Sequence, residues 1–466
     1  MAKARSAYIC SNCGKRSAAY LGRCPQCGEF ATMEQHVEQL SRGAGRVRAP
    51  RIGGERKPLL LADIDISQEP RIAVPIEEFS RVLGGGLVPG SLVLLGGEPG
   101  IGKSTLVLEL SAKLAATSGP VLYVSGEESA QQIKLRADRL GLNAPDLYML
   151  TETDLNEIVN QARKLDPTLL VIDSIQTTND PDSDSSPGLV AQVRQCAIAL
   201  QNLAKGSGLS ILIIGHVTKD GNIAGPRVLE HIVDAVLYLE GDPFQQYRLL
   251  RGVKNRFGAT SEVGVFEMSG AGLTQVPNPS EAFLEERMIN ASGSSIAITM
   301  EGTRPLLVEL QALTSPSAFG NPRRTPNGID LNRLLLISAV LSKRVGLKLW
   351  EQDIFVNVIG GLRISEPASD LAMALAIASS YHDRALPADL AIVGEVGLSG
   401  EVRRVGQLTA RLNEALKIGF KRALVPKLRR RPQDLPAGIQ LIEVRSVTEA
   451  LRAVLSGAGN QSVIRK

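Results

Sequence analysis

Residues 97–104 read Gly-Glu-Pro-Gly-Ile-Gly-Lys-Ser and fit the pattern G-x-x-x-x-G-K-[ST] without a mismatch. An apolar run, Ser91-Leu-Val-Leu-Leu95, leads into it, and a helical pattern beginning Thr105-Leu-Val-Leu-Glu-Leu110 follows. That order predicts a strand, a tight loop and a helix whose N-terminus faces an anion. Gly97, Gly100 and Gly102 let the backbone turn and aim N–H groups inward. Lys103 is expected to reach the β- and γ-phosphates of ATP, and the Ser104 hydroxyl to ligate Mg²⁺. The expected nucleotide cradle is Gly97, Glu98, Pro99, Gly100, Ile101, Gly102, Lys103, Ser104 and Thr105.

At 466 residues the chain is too long for one ordinary core, so two to three domains are expected. Hydrophobic content of 44% with 21% charged residues is that of a globular protein. No apolar run suggests a membrane span, and the start Met1-Ala-Lys-Ala-Arg-Ser6 lacks a secretory core, so a cytoplasmic location is expected. The net charge is only +4, but residues 1–60 hold eleven Lys or Arg against four acids. A basic arm of +7 on a body of −3 suits an anionic partner such as nucleic acid, or a solvated linker.

Three segments follow from pattern. In residues 1–34, Cys10-Ser-Asn-Cys13 and Cys24-Pro-Gln-Cys27 stand ten residues apart, each pair followed by glycine. Four such thiolates suit a closed, structural tetrahedral Zn²⁺ site. The fifth cysteine, Cys196, reads as inert core. Residues 35–65 form a basic linker carrying Arg42, Arg46, Arg48, Arg51, Arg56 and Lys57. Residues 66–280 alternate strand and helix patterns. Strands are predicted at 91–95, 121–125, 147–151, 169–173, 210–215 and 235–240, with an antiparallel extension at 247–254 and 262–268. This predicts an α/β core with a mostly parallel sheet. Residues 285–456 form a second α/β domain, with strands at 295–300, 305–313 and 354–358 and helices at 328–341 and 368–380.

Leu169-Leu-Val-Ile-Asp173 is an apolar strand ending in a carboxylate, which at the sheet's carboxyl edge is placed to hold Mg²⁺ beside Ser104. A second strand ends in Glu127-Glu128, and Glu127 is the candidate general base. Gln176 is a candidate γ-phosphate sensor, and His216 a candidate reporter of nucleotide state. Lys254 and Arg256, at i and i+2, point to one face and form a candidate arginine-finger pair or a surface ion pair. The loop Lys219–Arg227 follows a strand end, and its Lys219 and Arg227 suit phosphates.

Together these residues resemble the bacterial RadA/Sms DNA-repair proteins over essentially the whole chain. The likeness is carried by the four-cysteine finger, the lead-in Arg81-Val-Leu-Gly-Gly-Gly-Leu87, the phosphate loop and Lys254-Asn-Arg-Phe-Gly258. The resemblance implies a RecA-like ATPase core, a homo-hexameric ring, and a motor acting on single-stranded and branched DNA. It further implies branch migration beside the RecA strand-exchange protein. By the same resemblance Glu127 matches the catalytic glutamate of DnaB-type motors, and Lys254 and Arg256 act across subunit boundaries.

The last segment resembles the proteolytic domain of Lon-type proteases, whose chemistry needs a serine nucleophile and a lysine. Glu366-Pro-Ala-Ser-Asp370 stands where Lon has Gly-Pro-Ser-Ala-Gly, so the nucleophile position holds Ala368, and Ser369 is rotated about 100° away on a helix. Gly406-Gln-Leu-Thr409 stands for Gly-Gly-Leu-Lys, so Thr409 replaces the lysine. Covalent catalysis then has no basis, and the segment reads as a proteolytically inactive Lon-like domain. Arg304, Arg323, Arg324 and Lys343 are its candidate DNA contacts. An ATP-dependent protease and a nucleotide-gated repair adaptor remain the rival readings.

Overall fold

The computed structural model describes residues 5–10, 15–17, 22–30, 33–38, 71–183, 186, 188–216, 229–241, 246–317 and 321–455. The chain divides into two compact units, Met1–Ile64 and Asp65–Lys466. In the first, strand β1 (Arg5–Cys10) pairs with β2 (Arg16–Ser17) and with β3 (Met33–Glu38), both antiparallel. The strand β3 thus runs past residue 34, where the linker was expected to begin, because its whole length pairs with β1.

The second unit contains two sheets. The described strands of the first are β4 (Leu92–Gly97), β5 (Val121–Ser125), β6 (Leu147–Thr151), β7 (Leu169–Asp173), β8 (Ser210–His216), β9 (Ala235–Glu240), β10 (Tyr247–Asn255), β11 (Val263–Ser269) and β12 (Gly272–Gln275). Their order is β12-β11-β10-β9-β4-β8-β7-β5-β6. The six from β9 to β6 are parallel, and β10 to β12 add an antiparallel edge. The apolar runs become fully buried central strands, as expected when helices cover both faces. Helices α1 (Glu77–Leu83), α2 (Lys103–Thr117) and α3 (Ala130–Arg139) share one apolar layer with Val121, Tyr123, Leu169 and Val171. Helices α4 (Leu155–Leu165) and α5 (Val190–Ser207) share the other with Leu122, Val124, Leu170 and Ile172. The two-residue period therefore turns Asp173 toward the face that packs α2.

Strand β4 extends two residues beyond the apolar run, since Gly96 and Gly97 still pair with β8 and β9. The short β12 was not expected; four residues with little apolar alternation give no local signal.

The second sheet has the order β15-β16-β14-β13-β17-β20-β21 over Arg324–Asn327, Gln352–Val358, Arg304–Pro316, Ser294–Glu301, Leu390–Ile392, Arg422–Pro426 and Gln440–Val444; β18 (Glu395–Val396) and β19 (Val402–Arg403) form a separate hairpin. The helix predicted from Gly328 begins at Leu331, where the Asp330 side chain accepts from the Arg333 N–H as an N-cap. A helix, Asp370–Tyr381, buried from Asp370 to Ser379, packs on β13 and β14. One apolar cluster runs from Leu249, Val263 and Val265 of the first sheet into Leu306 and Val308 of the second and Leu375 of the helix packed on it. Two ion pairs reinforce this seam. Arg304 donates to Glu78 at 2.5 Å, and Arg251 donates to Glu301 at 2.6 Å.

Candidate functional site

The phosphate loop leaves β4 at the carboxyl edge of the parallel sheet and opens α2. Gly97 has φ +156°, and a Cβ there would sit 2.6 Å from the Leu239 carbonyl oxygen, so only glycine fits beside β9. Lys103 is the first residue of α2 and is buried. Its Nζ donates to the Gly97 and Glu98 carbonyls at 3.0 and 2.9 Å. Burial lowers the Lys103 pKa, and the charges of Asp173 and Glu127 oppose that shift. Lysine and both carboxylates therefore share one electrostatic neighbourhood.

Asp173 ends β7 and is also buried, which raises its pKa; hydrogen bonds from Tyr123 and Ser104 counter the rise. The Tyr123 hydroxyl donates to Asp173 Oδ2 at 2.6 Å. A hydroxyl beside a carboxylate is an all-oxygen donor set that suits a hard cation, so Ser104 and Asp173 fit Mg²⁺. Glu127, just past β5, is half-exposed at 42%. Its Oε1 accepts from Ser174 Oγ at 2.5 Å and lies 3.3 Å from His216 Nε2 at the end of β8. Gln176 Nε2 donates to the His216 carbonyl at 3.4 Å. Two atoms here, His216 Nδ1 and Gln176 Oε1, are buried with no hydrogen-bond partner among the described residues. Buried polar atoms are rarely left so. Tyr123 and Ser174 were not anticipated. Tyr123 carries an inward strand position as its signal, and Ser174 none beyond standing next to Asp173.

Lys254 and Arg256 lie elsewhere. Arg256 pairs with the buried Asp234 at 3.1 Å, and Asp234 also holds Lys205 and the Leu92 N–H. Leu92 begins β4 and Gly97 ends it. At about 3.3 Å per residue, Arg256 is roughly 17 Å from its own phosphate loop, at the opposite sheet edge. Lys254 Nζ donates to the Glu230 and Val233 carbonyls at 2.6 and 2.9 Å. Asn255 Nδ2 donates to the Leu83 carbonyl at 3.1 Å, so this motif packs on the Arg81–Leu87 lead-in.

In the zinc segment, the Gly28 N–H donates to the Cys24 carbonyl at 2.9 Å and the Cys24 N–H to the Glu29 carbonyl at 2.9 Å. This closes a knuckle that presents Cys24 and Cys27, a donor pair that fits Zn²⁺. Cys13 and the Cys10 side chain lie outside the described residues, as do Lys219, Arg227 and linker residues 39–65.

The C-terminal candidates separate. Arg304 is 12% exposed and donates to Glu78 and to the Val263 and Pro277 carbonyls, so its guanidinium is spent on the seam and not offered to a polymer. Arg324 donates to the Arg323, Gln352 and Leu349 carbonyls at 2.6–2.9 Å and is likewise committed. Arg323 is exposed, its N–H donating to Asp353. Ala368 is buried. Near it in the chain stands an ion pair that sequence did not reveal, between the buried Arg411 and a partly exposed Glu366. Glu366 accepts from Arg411, from the Met300 N–H at 2.8 Å and from the Thr299 hydroxyl at 3.2 Å. Arg411, 1% exposed, also donates to the Ile298 and Gly406 carbonyls.

No helix among the described residues is long and apolar enough to cross a membrane. Residues 8–35 match a rubredoxin metal binding domain, 56–222 an AAA domain, and 336–429 the subunit ChlI of Mg-chelatase. The fold is thus an N-terminal zinc ribbon, an AAA-type, RecA-like ATPase core and a C-terminal Lon-like α/β domain. A KaiC-like protein from Pyrococcus horikoshii OT3 has a TM-score of 0.38 at 20% identity, over 45% of this chain and 99% of its own. The DNA repair protein RadA of Halalkalibacterium halodurans is 50% identical over 98% of this chain and 100% of its own length. That of Bacillus subtilis strain 168 is 52% identical over the same shares. The chain therefore belongs to the RadA family of DNA repair proteins.

Proposed function

We propose that this chain is an ATP-driven motor that processes recombination intermediates on single-stranded or branched DNA, with branch migration beside the RecA strand-exchange protein. It works as a hexameric ring in the cytoplasm. The observation that carries the reading is the separation of Arg256 from its own phosphate loop. One sheet edge gathers lysine, hydroxyl and two carboxylates, while the half-exposed Arg256 lies at the other, paired with Asp234. A ring of such subunits brings one subunit's arginine to the next one's phosphates.

In this reading Lys103 neutralises the β- and γ-phosphates and Glu127 accepts a proton from the attacking water. Lys254 and Arg256 stabilise charge across the boundary. Ser104 and Asp173 would hold Mg²⁺, which supplies charge neutralisation on the phosphate oxygens. Cys10, Cys13, Cys24 and Cys27 would hold a structural Zn²⁺. Lys219 and Arg227, which follow β8 in sequence, are the ATPase domain's contacts to DNA phosphates. Arg323 is the C-terminal domain's contact in place of Arg304 and Arg324. The protease alternative is disfavoured, since Ala368 and Thr409 supply neither nucleophile nor amine and the Glu366–Arg411 pair fills the adjacent space.

Lys103→Ala is expected to cut DNA-stimulated ATP hydrolysis by about 10²–10³-fold, as loss of a transition-state charge contact does, and to abolish branch migration with the fold intact. Near-normal turnover would overturn the assignment. Strand displacement by the wild-type protein separates a motor from an adaptor, which would show none. ATP-dependent casein cleavage would revive the protease.

A further inference from the structure

We propose that Ser174 and His216 are positioning residues that hold Glu127 by one carboxylate oxygen and leave the other to receive the proton of the attacking water. The proposal rests on Glu127 being the general base.

The geometry is asymmetric. Oε1 accepts from Ser174 Oγ at 2.5 Å and faces His216 Nε2 at 3.3 Å, while Oε2 accepts no hydrogen bond among the described residues. An ionised carboxylate only accepts, so the Ser174 hydroxyl must donate, and His216 donates in the tautomer that carries its proton on Nε2. That tautomer leaves Nδ1 as an acceptor, and Nδ1 is buried without a partner among the described residues.

Ser174 itself is fixed. It is 1% exposed, and its carbonyl accepts the Thr177 and Thr178 hydroxyls at 2.9 and 3.2 Å. The next residue, Ile175, donates its N–H to the Ile214 carbonyl at 3.0 Å, and the Gly126 N–H donates to the Asp173 carbonyl at 2.9 Å. Gly126 also packs so closely that a Cβ there would sit 2.2 Å from Thr177 Oγ1. One turn therefore ties together Asp173, Ser174 and the residue before Glu127. A half-exposed glutamate has several rotamers open to it; two donors from two strand ends select one. The same turn sets the base in register with the carboxylate expected to hold Mg²⁺. In the hydrolytic step the water oxygen bonds to the γ-phosphorus, and the bond to the β–γ bridging oxygen breaks with its electron pair passing to ADP. The water proton goes to Oε2 and from there to solvent.

The test is steady-state ATPase with fluorescent ATP-analogue binding on the full chain, comparing Glu127→Gln, Ser174→Ala, His216→Ala, His216→Gln and Glu127→Gln/Ser174→Ala. Glu127→Gln should lower kcat by about 10²–10⁴-fold, the range of a general base. Ser174→Ala should lower kcat roughly tenfold or more with nucleotide affinity and thermal midpoint unchanged, since it removes orientation and not binding. His216→Gln, which keeps a donor, should retain more activity than His216→Ala. The double variant should be no slower than Glu127→Gln alone, because groups acting as one unit are not additive. Wild-type kcat in both Ser174→Ala and His216→Ala, or an additive double variant, would overturn the clamp while a dead Glu127→Gln preserved the base. Wild-type kcat in Glu127→Gln would overturn both.

Discussion

The ATPase sheet and the Lon-like sheet each carry buried charge where strand ends meet a helix start, and they complete it in opposite ways. Beside Ala368, Glu366 and Arg411 are matched to each other and to Met300, Thr299, Ile298 and Gly406, and neither has an atom among the unpartnered buried ones. Around the phosphate loop, Lys103 rests on two loop carbonyls, and among the described residues Glu127 Oε2 accepts no hydrogen bond and His216 Nδ1 and Gln176 Oε1 have no partner. A charged cluster satisfied within the chain is a strut. A cluster that leaves polar atoms unpaired at an open sheet edge is arranged for a ligand. The pair beside Ala368 is of the first kind, and the groups around the phosphate loop are of the second.

The comparison is broken most severely by Arg256→Ala. If the open edge is completed by a neighbour, ATP turnover should fall by about 10³-fold or more, the range of an arginine finger. Mixing this variant with Lys103→Ala should restore part of the activity, because a junction with Lys103 on one side and Arg256 on the other is intact. No recovery under proven subunit exchange would remove the trans role.

The strut is tested next. Glu366→Ala leaves the Arg411 guanidinium buried without its counter-charge, still donating to the Ile298 and Gly406 carbonyls, which should cost about 3–5 kcal/mol in urea unfolding of the C-terminal region. ATP turnover below the transition should stay near wild type. A change under 1 kcal/mol would mean the pair is dispensable, and the contrast between the clusters would lose its energetic side.

The smallest effect separates two arginines that look alike in sequence. Arg323→Ala should flatten the log–log salt dependence of single-strand binding by about 0.7, the value of one phosphate contact. Arg304→Ala should leave that slope unchanged and lower stability instead, because the buried Glu78 then keeps only the Val265 N–H and the more distant Arg81. The reverse pattern would return the DNA contact to Arg304.

The sequence by itself determined the phosphate loop, the class of sheet and most strands. Val121–Ser125, Leu147–Thr151, Leu169–Asp173 and Ala235–Glu240 form over the residues expected. These signals are local, since an apolar run of five residues closed by a turn or a carboxylate reads the same in any context. Strand order, the short β12 and the companions of the site were decided by tertiary structure. Ser174 lies 47 residues from Glu127 and His216 lies 89, and no spacing rule joins them. They meet because β5, β7 and β8 end on one edge. Exposure was undecided too. Arg304 and Arg323 are equally basic on paper, and only packing buries one beside a glutamate and leaves the other an exposed residue. A residue's chemistry is written in its own side chain, but its partner is set by which distant segments the sheet brings within about 3 Å.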